Sequence, residues 1–268
     1  MASSLAILGS GRMARVFTAL LAGRGFQVLS VSGRSPRPAA AAARLLIAVT
    51  DDALPSIAAA LASAGLRNAV VLHTSGAAGP AALDPLRHSG NSTGVLHPLQ
   101  TVPSPEAGIR SLPGSTFAYA GDPPAAAWAL ELIAALHGQP LAVAPARWPL
   151  YHAAAVMACN YHAALLDAAL EMMLAAGIAR ERALPALAPL IRATTENLLA
   201  HGPAQALTGP IRRGDAGTVR AHMAALHSVS PATLALYSAA GLRTLALAGL
   251  PPETAEKLAD ALRLPTQS

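Results

Sequence analysis

The segment Leu5-Ala6-Ile7-Leu8-Gly9-Ser10-Gly11-Arg12-Met13-Ala14 decides the fold of this chain. A short apolar run precedes a glycine-rich turn, and a helical pattern follows from Met13 to Ala22. A strand, a GxGxxA turn and a helix in this order form the dinucleotide-binding fingerprint, because its glycines permit a tight turn and close approach to a pyrophosphate. The helix N-terminus adds free N–H donors for phosphate oxygens. We therefore predict cofactor contacts from Gly9, Ser10, Gly11, Arg12, Met13 and Ala14.

The residues after the second predicted strand indicate which dinucleotide binds. An NAD site typically carries an acidic residue about 20 residues beyond the glycines, where it holds the ribose hydroxyls. Here the strand at 27–31 is followed by Ser32-Gly33-Arg34-Ser35, which contains no carboxylate. A guanidinium and two hydroxyls suit a 2′-phosphate. We therefore predict NADP, bound in part by Ser32, Arg34 and Ser35, with a solvated turn arginine as the alternative.

The composition indicates two domains and an associating surface. The chain has 268 residues, of which 53% are hydrophobic and only 12% are charged. Two modest domains fit this length, and so apolar a surface favours a homodimer. The net charge of +5 comes from scattered arginines, and aromatic residues make up 3% of the chain, which argues against nucleic-acid binding.

Cysteine, histidine and hydropathy patterns exclude further classes. Cys159 is the only cysteine, so neither an internal disulfide nor a cysteine metal cluster is expected. No two histidines have the i,i+4 spacing of a helical metal site, so no metal is predicted. The start lacks a basic signal-peptide region, and no run reaches 18 uninterrupted apolar residues. We expect a cytoplasmic protein without a membrane partner.

The pattern of apolar runs predicts an α/β fold followed by an all-α region. A doubly wound parallel sheet with the Rossmann arrangement is expected over residues 1–146, because short strands alternate with helical segments there. A helical substrate and dimerisation domain is expected over 147–268. The predicted strands are 5–8, 27–31, 45–49, 69–72, 93–96, 116–119 and 141–143. The predicted helices of the second domain are 149–176, 180–200, 216–227 after an Asp215 cap, 231–247 after a Ser230 cap, and 252–262.

The carboxyl ends of the predicted strands carry candidate site residues. Ligands of open α/β sheets bind beyond these ends, so Thr50, Asp51, His73, Ser75 and Gly76 are predicted cofactor contacts. The same reasoning makes His97 a candidate proton donor and Gln100 a candidate substrate contact. For each histidine the alternative is an imidazole satisfied by the backbone at a strand end.

Two further patterns in the helical half suggest substrate contacts. His152 and Asn160 belong to a stripe with three- and four-residue spacing on the predicted helix 149–176, so they share one face; both are candidate catalytic residues in a cleft between the domains. A purely solvated stripe is the alternative. The Gly/Pro loop 207–215 carries arginines ahead of a helix N-terminus, which suits an anion unless it is only a surface loop. Its candidate substrate contacts, with one residue of the helix beyond, are Thr208, Arg212, Asp215 and His222.

With these residues in place, the chain resembles the Rossmann-like oxidoreductases whose C-terminal half is a helical domain of unknown function, related to deazaflavin-dependent NADP oxidoreductases. The wider superfamily includes 6-phosphogluconate dehydrogenase and pyrroline-5-carboxylate reductase. The matching segments span both domains in order. They are ILGSGRMA (7–14), LHTSGA (72–77), GVLHPLQT (94–101), YHAAAVMACNYHAALL (151–166) and ALTGPIRRGDAGTVRAH (206–222).

This resemblance implies an NADPH-dependent reductase of a small carbonyl or imine. Several superfamily members carry a catalytic lysine on the first long helix of the second domain, but the only lysine here is Lys257, near the C-terminus. His152 and His97 are therefore the candidate acids. An imine, as in pyrroline-5-carboxylate reductase, stays open beside a carbonyl, because its reduction depends mainly on positioning. A non-catalytic NADPH-binding regulator and a deazaflavin co-substrate also stay open.

Overall fold

A computed structural model describes residues 4–33, 39 and 41–264, and within them a seven-stranded sheet lies at the N-terminal side. The strand order is β2-β1-β3-β4-β5-β6-β7, and every predicted strand is present. All neighbouring strands are parallel except β5 and β6. The strands are β1 (Ser4–Leu8), β2 (Gln27–Val31), β3 (Arg44–Ile47), β4 (Val70–His73), β5 (Ser92–Pro98), β6 (Thr116–Gly121) and β7 (Gln139–Ala142).

Helices cover both faces of this sheet. Successive strand side chains point to opposite faces, so Leu5 and Ile7 of β1 join one hydrophobic core while Ala6 and Leu8 join the other. Helices α1 and α5 pack on the first face, and α2 and α3 on the second. The doubly wound prediction is confirmed. The helices of this region are α1 (Arg12–Ala22), α2 (Leu54–Ser63), α3 (Asp84–His88), α4 (Pro105–Ser111) and α5 (Pro123–Ala135).

Strand β6 departs from the expected all-parallel sheet. It runs antiparallel to β5, with Leu96 opposite Tyr119. Its preceding helix α4 packs beside α1, so this connection does not make the crossover that a parallel pair requires. Helix α5 then provides a crossover, and β7 lies parallel to β6.

The rest of the described chain is helical. The compact units are residues 1–159 and 160–268, so α6 belongs with the sheet. The N-caps predicted at Asp215 and Ser230 are confirmed, because each side chain accepts a hydrogen bond from the N–H three residues later. The remaining helices are α6 (Trp148–Ala158), α7 (Asn160–Ala175), α8 (Arg180–His201), α9 (Pro203–Ala206), α10 (Gly209–Arg212), α11 (Ala216–Leu226), α12 (Pro231–Ala248) and α13 (Pro252–Leu262).

The single long helix predicted over 149–176 is wrong. The chain leaves regular α-helix at Cys159, where φ is −117° and ψ is −68°, and helix α7 starts at Asn160. The sequence did not predict this break, because neither a glycine nor a proline lies at it. His152 and Asn160 therefore belong to different helices and different compact units.

One stretch of the described chain, Pro145–Ala175, is long and apolar enough to cross a membrane by length and composition. Its most apolar window has a mean hydropathy of 1.3. A single such stretch is weak evidence for a membrane span, because core helices of soluble proteins and signal sequences pass the same test of length and composition.

Candidate active site at the carboxyl edge of the sheet

The fingerprint turn depends on the first glycine for steric reasons. Gly9 has a φ of +143°, and its N–H donates to Val31 O at 2.9 Å. A Cβ at this position would lie 2.1 Å from Ala48 O. Only glycine therefore allows the turn after β1 to pass so close to the chain that follows β3.

The second glycine has a different role, because space surrounds it. Gly11 is the N-cap of α1, with a φ of −74° and no side-chain hydrogen bond. A Cβ built on Gly11 meets no atom of the described residues within 4 Å. The open approach and the adjoining helix N-terminus fit a pyrophosphate group, and a side chain here would occupy that approach.

A cavity of about 560 Å³ opens beside this turn. Six of the predicted cofactor contacts line it, and hydrophobic residues not singled out in the sequence complete it. Its size and open glycine edge fit part of a dinucleotide. The lining residues are Gly9, Ser10, Gly11, Arg12, Met13, Gly33, Ala48, Val49, Thr50, Ala53, Ile57 and Val102.

Other predicted cofactor contacts lie elsewhere. Ala14 is buried and packs in the core, where its Cβ would lie 3.2 Å from a Cβ added at Gly9. Arg34 and Ser35 fall outside the described residues. Ser32 and Asp51 are described but do not line this cavity. Arg12 lines it while donating to Val102 O at 3.0 Å and Pro103 O at 3.2 Å.

His73 is fully buried and both of its ring nitrogens are bonded. Nε2 lies 2.7 Å from Gly79 O, and because a carbonyl only accepts, Nε2 carries the proton. Nδ1 then accepts from the N–H of Ser75 at 3.2 Å. Burial lowers the pKa of His73 to about 4, against a smaller upward effect of the Gly79 bond. This neutral imidazole shapes the loop after β4 and leaves no nitrogen for a ligand.

His97, at the end of β5, has a phenol as its partner. The Tyr151 hydroxyl of helix α6 lies 2.8 Å from His97 Nδ1, and the two rings meet edge to face. Burial, then the nearby His152, lowers the pKa of His97 to about 4. Burial raises the pKa of Tyr151 to about 12. At neutral pH the pair is thus an uncharged imidazole bonded to an intact phenol.

Gly76 lies between two imidazoles. A Cβ on Gly76 would be 2.6 Å from His97 Nε2 and 2.7 Å from His152 Nδ1. His152 Nδ1 is buried and has no hydrogen-bond partner among the described residues. The Gly76 carbonyl accepts from Trp148 Nε1 at 2.7 Å. Glycine is therefore required for both histidines to close on this loop.

Sequence reasoning missed Tyr151 and Trp148 as members of this site. Tyr151 directly precedes His152, and Trp148 is one turn earlier on the same helix. The Tyr151 hydroxyl and Trp148 Nε1 each form a hydrogen bond with a residue more than 50 positions away along the chain. A polar aromatic pair at the start of a helix was the only local signal.

The candidate catalytic residue Asn160 and the predicted substrate contacts are spread over the described chain. Asn160 and Gln100 are exposed, and Gln100 Oε1 accepts from the N–H of Thr101. Thr208 is the N-cap of α10, and Arg212 donates to Ala248 O at the end of α12. Asp215 caps α11, where two hydrogen bonds from Thr218 lower its pKa. His222 Nδ1 is bonded to the Tyr237 hydroxyl at 2.7 Å.

The described residues contain no group of three or more His, Cys, Asp and Glu side chains placed to hold a metal ion. The polar side chains around Gly76 form a separate cluster of hydrogen-bonding groups. Its groups are the imidazoles of His97 and His152 and the phenol of Tyr151.

Substituting His73 should reduce the loss of unfolding free energy that the protein suffers as the pH falls below 7. The unfolded state binds a proton as pH falls below about 6.5, but native His73 resists protonation until about pH 4. Wild type should therefore lose about 3 kcal/mol of unfolding free energy through this group as pH falls from 7 to 4. In His73→Gln that part of the loss should vanish.

Urea unfolding followed by tryptophan fluorescence at a series of pH values measures this difference, because Trp128 and Trp148 both lie in the sheet unit. The exposed His88 supplies the control, and His88→Gln should run parallel to wild type. Parallel curves for His73→Gln as well would show that native His73 titrates normally.

Two domain families match the chain. The Rossmann-like domain matches residues 5–98, and the domain of unknown function DUF2520 matches residues 115–244. No curated protein matches the sequence significantly.

Solved structures share the fold across almost the whole chain. A Bacteroides fragilis protein provisionally designated an NADP oxidoreductase superposes with a TM-score of 0.72 at 20% identity, covering 93% of this chain and 99% of its own. An imine reductase from Pseudomonas sp. gives 0.59 at 17% identity, covering 98% and 100%. The pyrroline carboxylate reductase of Plasmodium falciparum, with NADP bound, gives 0.54 at 13% identity, covering 97% and 100%.

At 13% to 20% identity, the similarity to these solved structures establishes the fold. The sheet order, the glycine turn and the two domain matches agree along the chain. The chain thus combines a match to the Rossmann-like domain with a match to the DUF2520 domain, on a fold that it shares with these solved structures.

Proposed function

We propose that this chain is an NADP(H)-dependent oxidoreductase that exchanges hydride with a small carbonyl substrate at the carboxyl edge of its sheet. One observation carries the proposal: the uncharged His97–Tyr151 pair lies at the same sheet edge as the glycine turn and its cavity. Ligands of open α/β sheets bind at this edge. A proton donor there lies where a carbonyl substrate would need a proton after it accepts hydride from the cofactor.

The cofactor assignment is supported by the glycine turn and by the residues after β2. Gly9 provides the turn geometry and Gly11 the open approach for phosphate. Ser32, Arg34 and Ser35 supply donors for a 2′-phosphate. The Plasmodium falciparum reductase of the same fold holds NADP. When bound, NADPH supplies the hydride.

His97 and Tyr151 would handle the proton of the reaction. With the phenol donating to Nδ1, the proton of His97 sits on Nε2, which faces Gly76. Donation from Nε2 to a substrate oxygen can be matched by proton transfer from Tyr151 to Nδ1. An alkoxide is a stronger base than a phenolate, so a phenol with a pKa of about 12 can supply this proton by way of His97, and Tyr151 is left as a phenolate. This pair replaces the missing lysine of related reductases.

The same electrostatics favour a carbonyl over an imine. Burial destabilises the cationic form of His97, since its pKa falls to about 4. A protonated imine is also a cation and would meet the same desolvation penalty. A neutral carbonyl meets no such penalty and needs the hydrogen-bond donor that His97 provides.

Cofactor binding should be lost in Gly11→Val without loss of stability. The new side chain enters space that no described residue fills, so the fold tolerates it while the pyrophosphate does not. Thermal shift with saturating NADPH measures this, and wild type should be stabilised more by NADPH than by NADH. Gly23, at the other end of α1 with a φ of −65°, provides the matched control.

Gly23→Val should keep the NADPH response. If Gly11→Val kept it too, the phosphate would bind elsewhere. Equal stabilisation of wild type by NADPH and NADH would contradict a 2′-phosphate contact by Arg34, Ser32 and Ser35.

Turnover should depend on the phenol–imidazole pair. Tyr151→Phe and His97→Asn are expected to lower kcat about 100-fold, the usual scale of lost proton transfer, with the Kd of NADPH unchanged. The assay is loss of NADPH absorbance with a panel of small ketones, aldehydes and cyclic imines. His88→Gln should match wild type.

The panel also separates the alternatives. Turnover of ketones or aldehydes supports the carbonyl assignment, whereas turnover of 2-methyl-1-pyrroline alone would reverse it. Tight NADPH binding without turnover of any compound would instead identify a cofactor-sensing regulator.

We also propose that the chain acts in the cytoplasm as a homodimer joined through its helical unit. Helix α8 has 22 residues, of which only Ala183 is buried. Leu190 and Leu199 on this helix are 64% and 83% exposed. So much exposed apolar surface is costly in water and is typical of a subunit interface.

Light scattering should give twice the chain mass of 27.0 kDa. The double variant Leu190→Arg and Leu199→Arg should halve that mass. Leu29→Arg, at a leucine 55% exposed on β2 in the sheet unit, is the control and should leave it unchanged. A monomeric wild type would refute the dimer.

A further inference from the structure

The helical unit contains a second cavity, of about 430 Å³, that the proposed reaction does not use. Helices α7, α11 and α12 form it, together with the segment after α11. Its volume lies in the range of small-molecule sites. The lining residues are Met172, Ala175, Ala176, His222, Ala225, Leu226, Ser228, Val229 and Tyr237.

Most of this lining is apolar. Leu226 belongs to a buried cluster against which Met172, Val229 and Tyr237 pack. Three alanines, at 175, 176 and 225, keep the space open. None of the lining residues is Asp, Glu, Lys or Arg. A charged ligand would therefore lose water without gaining an ionic partner.

Three polar residues interrupt the apolar lining: Ser228, whose Oγ donates to Ala225 O at 2.9 Å, and the pair His222 and Tyr237. His222 Nδ1 lies 2.7 Å from the Tyr237 hydroxyl, and the rings meet edge to face at 5.9 Å between centroids. Burial raises the pKa of Tyr237, so the phenol keeps its proton. When the phenol donates to Nδ1, the imidazole carries its proton on Nε2. A ligand then meets an N–H donor.

The acidic side chain closest in sequence to this lining is already bonded. Glu171, next to Met172, accepts from the Thr233 hydroxyl. Its carboxylate therefore has a partner within the helical unit. The Ser228 hydroxyl proton is likewise used on Ala225 O, so the His222–Tyr237 pair is the hydrogen-bond donor that the cavity offers a ligand.

We propose that this cavity binds a small, uncharged, mainly apolar organic molecule whose single hydrogen-bond acceptor, such as a carbonyl oxygen, faces His222. The inference goes beyond the proposed reaction, because it needs neither cofactor nor turnover. The apolar walls supply affinity and the imidazole supplies orientation, the usual division in small-molecule sites.

Two probes of matched shape test the chemistry. The ketone 4-phenylbutan-2-one and the anion 3-phenylpropanoate share a phenylethyl skeleton and differ at the acceptor group. Their binding to the full chain is measured by ligand-observed NMR titration at pH 7.5 without cofactor. The ketone should bind at least tenfold more tightly, because the cavity gives a carboxylate no cation.

Variants locate the binding. Ala225→Phe and Ala176→Phe, at exposed positions that line the cavity, should each fill it and weaken ketone binding at least tenfold. His222→Phe should weaken it about fivefold to tenfold through loss of one hydrogen bond. The matched control is His227→Gln at the end of the same helix, outside the lining, and it should leave binding unchanged.

Other outcomes overturn the proposal. Tighter binding of the anion would make this an anion site, and ketone binding that survives both alanine variants would lie elsewhere. If wild type bound neither probe while Ala225→Phe halved the mass measured by light scattering, the cavity would be a subunit interface. None of these results depends on hydride transfer, so failure here and failure of the proposed reaction are distinguishable.

Discussion

The hydrogen bond from Trp148 Nε1 to Gly76 O is the contact on which the candidate active site depends. It ties helix α6 to the loop that follows β4, where the buried indole lies so close that a Cβ added at Gly79 would be 3.1 Å from its Cδ1. An unpaired buried indole N–H would cost about 1–3 kcal/mol, so this anchor favours one placement of the helix. Tyr151 and His152 reach the sheet edge as a result.

Burial then decides what chemistry this edge can perform. Water is excluded from His73 entirely and from much of His97, so both imidazoles stay uncharged at neutral pH. The two rings nevertheless differ in availability. Both ring nitrogens of His73 are hydrogen-bonded within its own loop, whereas Nδ1 of His97 is hydrogen-bonded to the Tyr151 hydroxyl. The edge of the sheet therefore presents an uncharged imidazole that is hydrogen-bonded to a phenol.

Much of the fold was predictable because it rests on local patterns. The apolar runs predicted every strand, and the serine and aspartate caps predicted two helix starts. The antiparallel β6 and the break at Cys159 were not predictable, because each depends on where the neighbouring segments pack. The candidate site was also predictable only in part. Gly9 and Gly11 were recognisable from their motif, whereas Tyr151 was not.

The sequence by itself determined a dinucleotide-type turn and its sheet, because turn sterics and apolar periodicity act over a few residues. Only the tertiary structure decided which strand-end histidine is structural and which has a proton partner. Gly79 and Ser75 satisfy His73 locally, but His97 meets Tyr151 across 54 positions of chain. Such a contact arises from helix packing on the sheet and not from any pattern in the neighbouring residues.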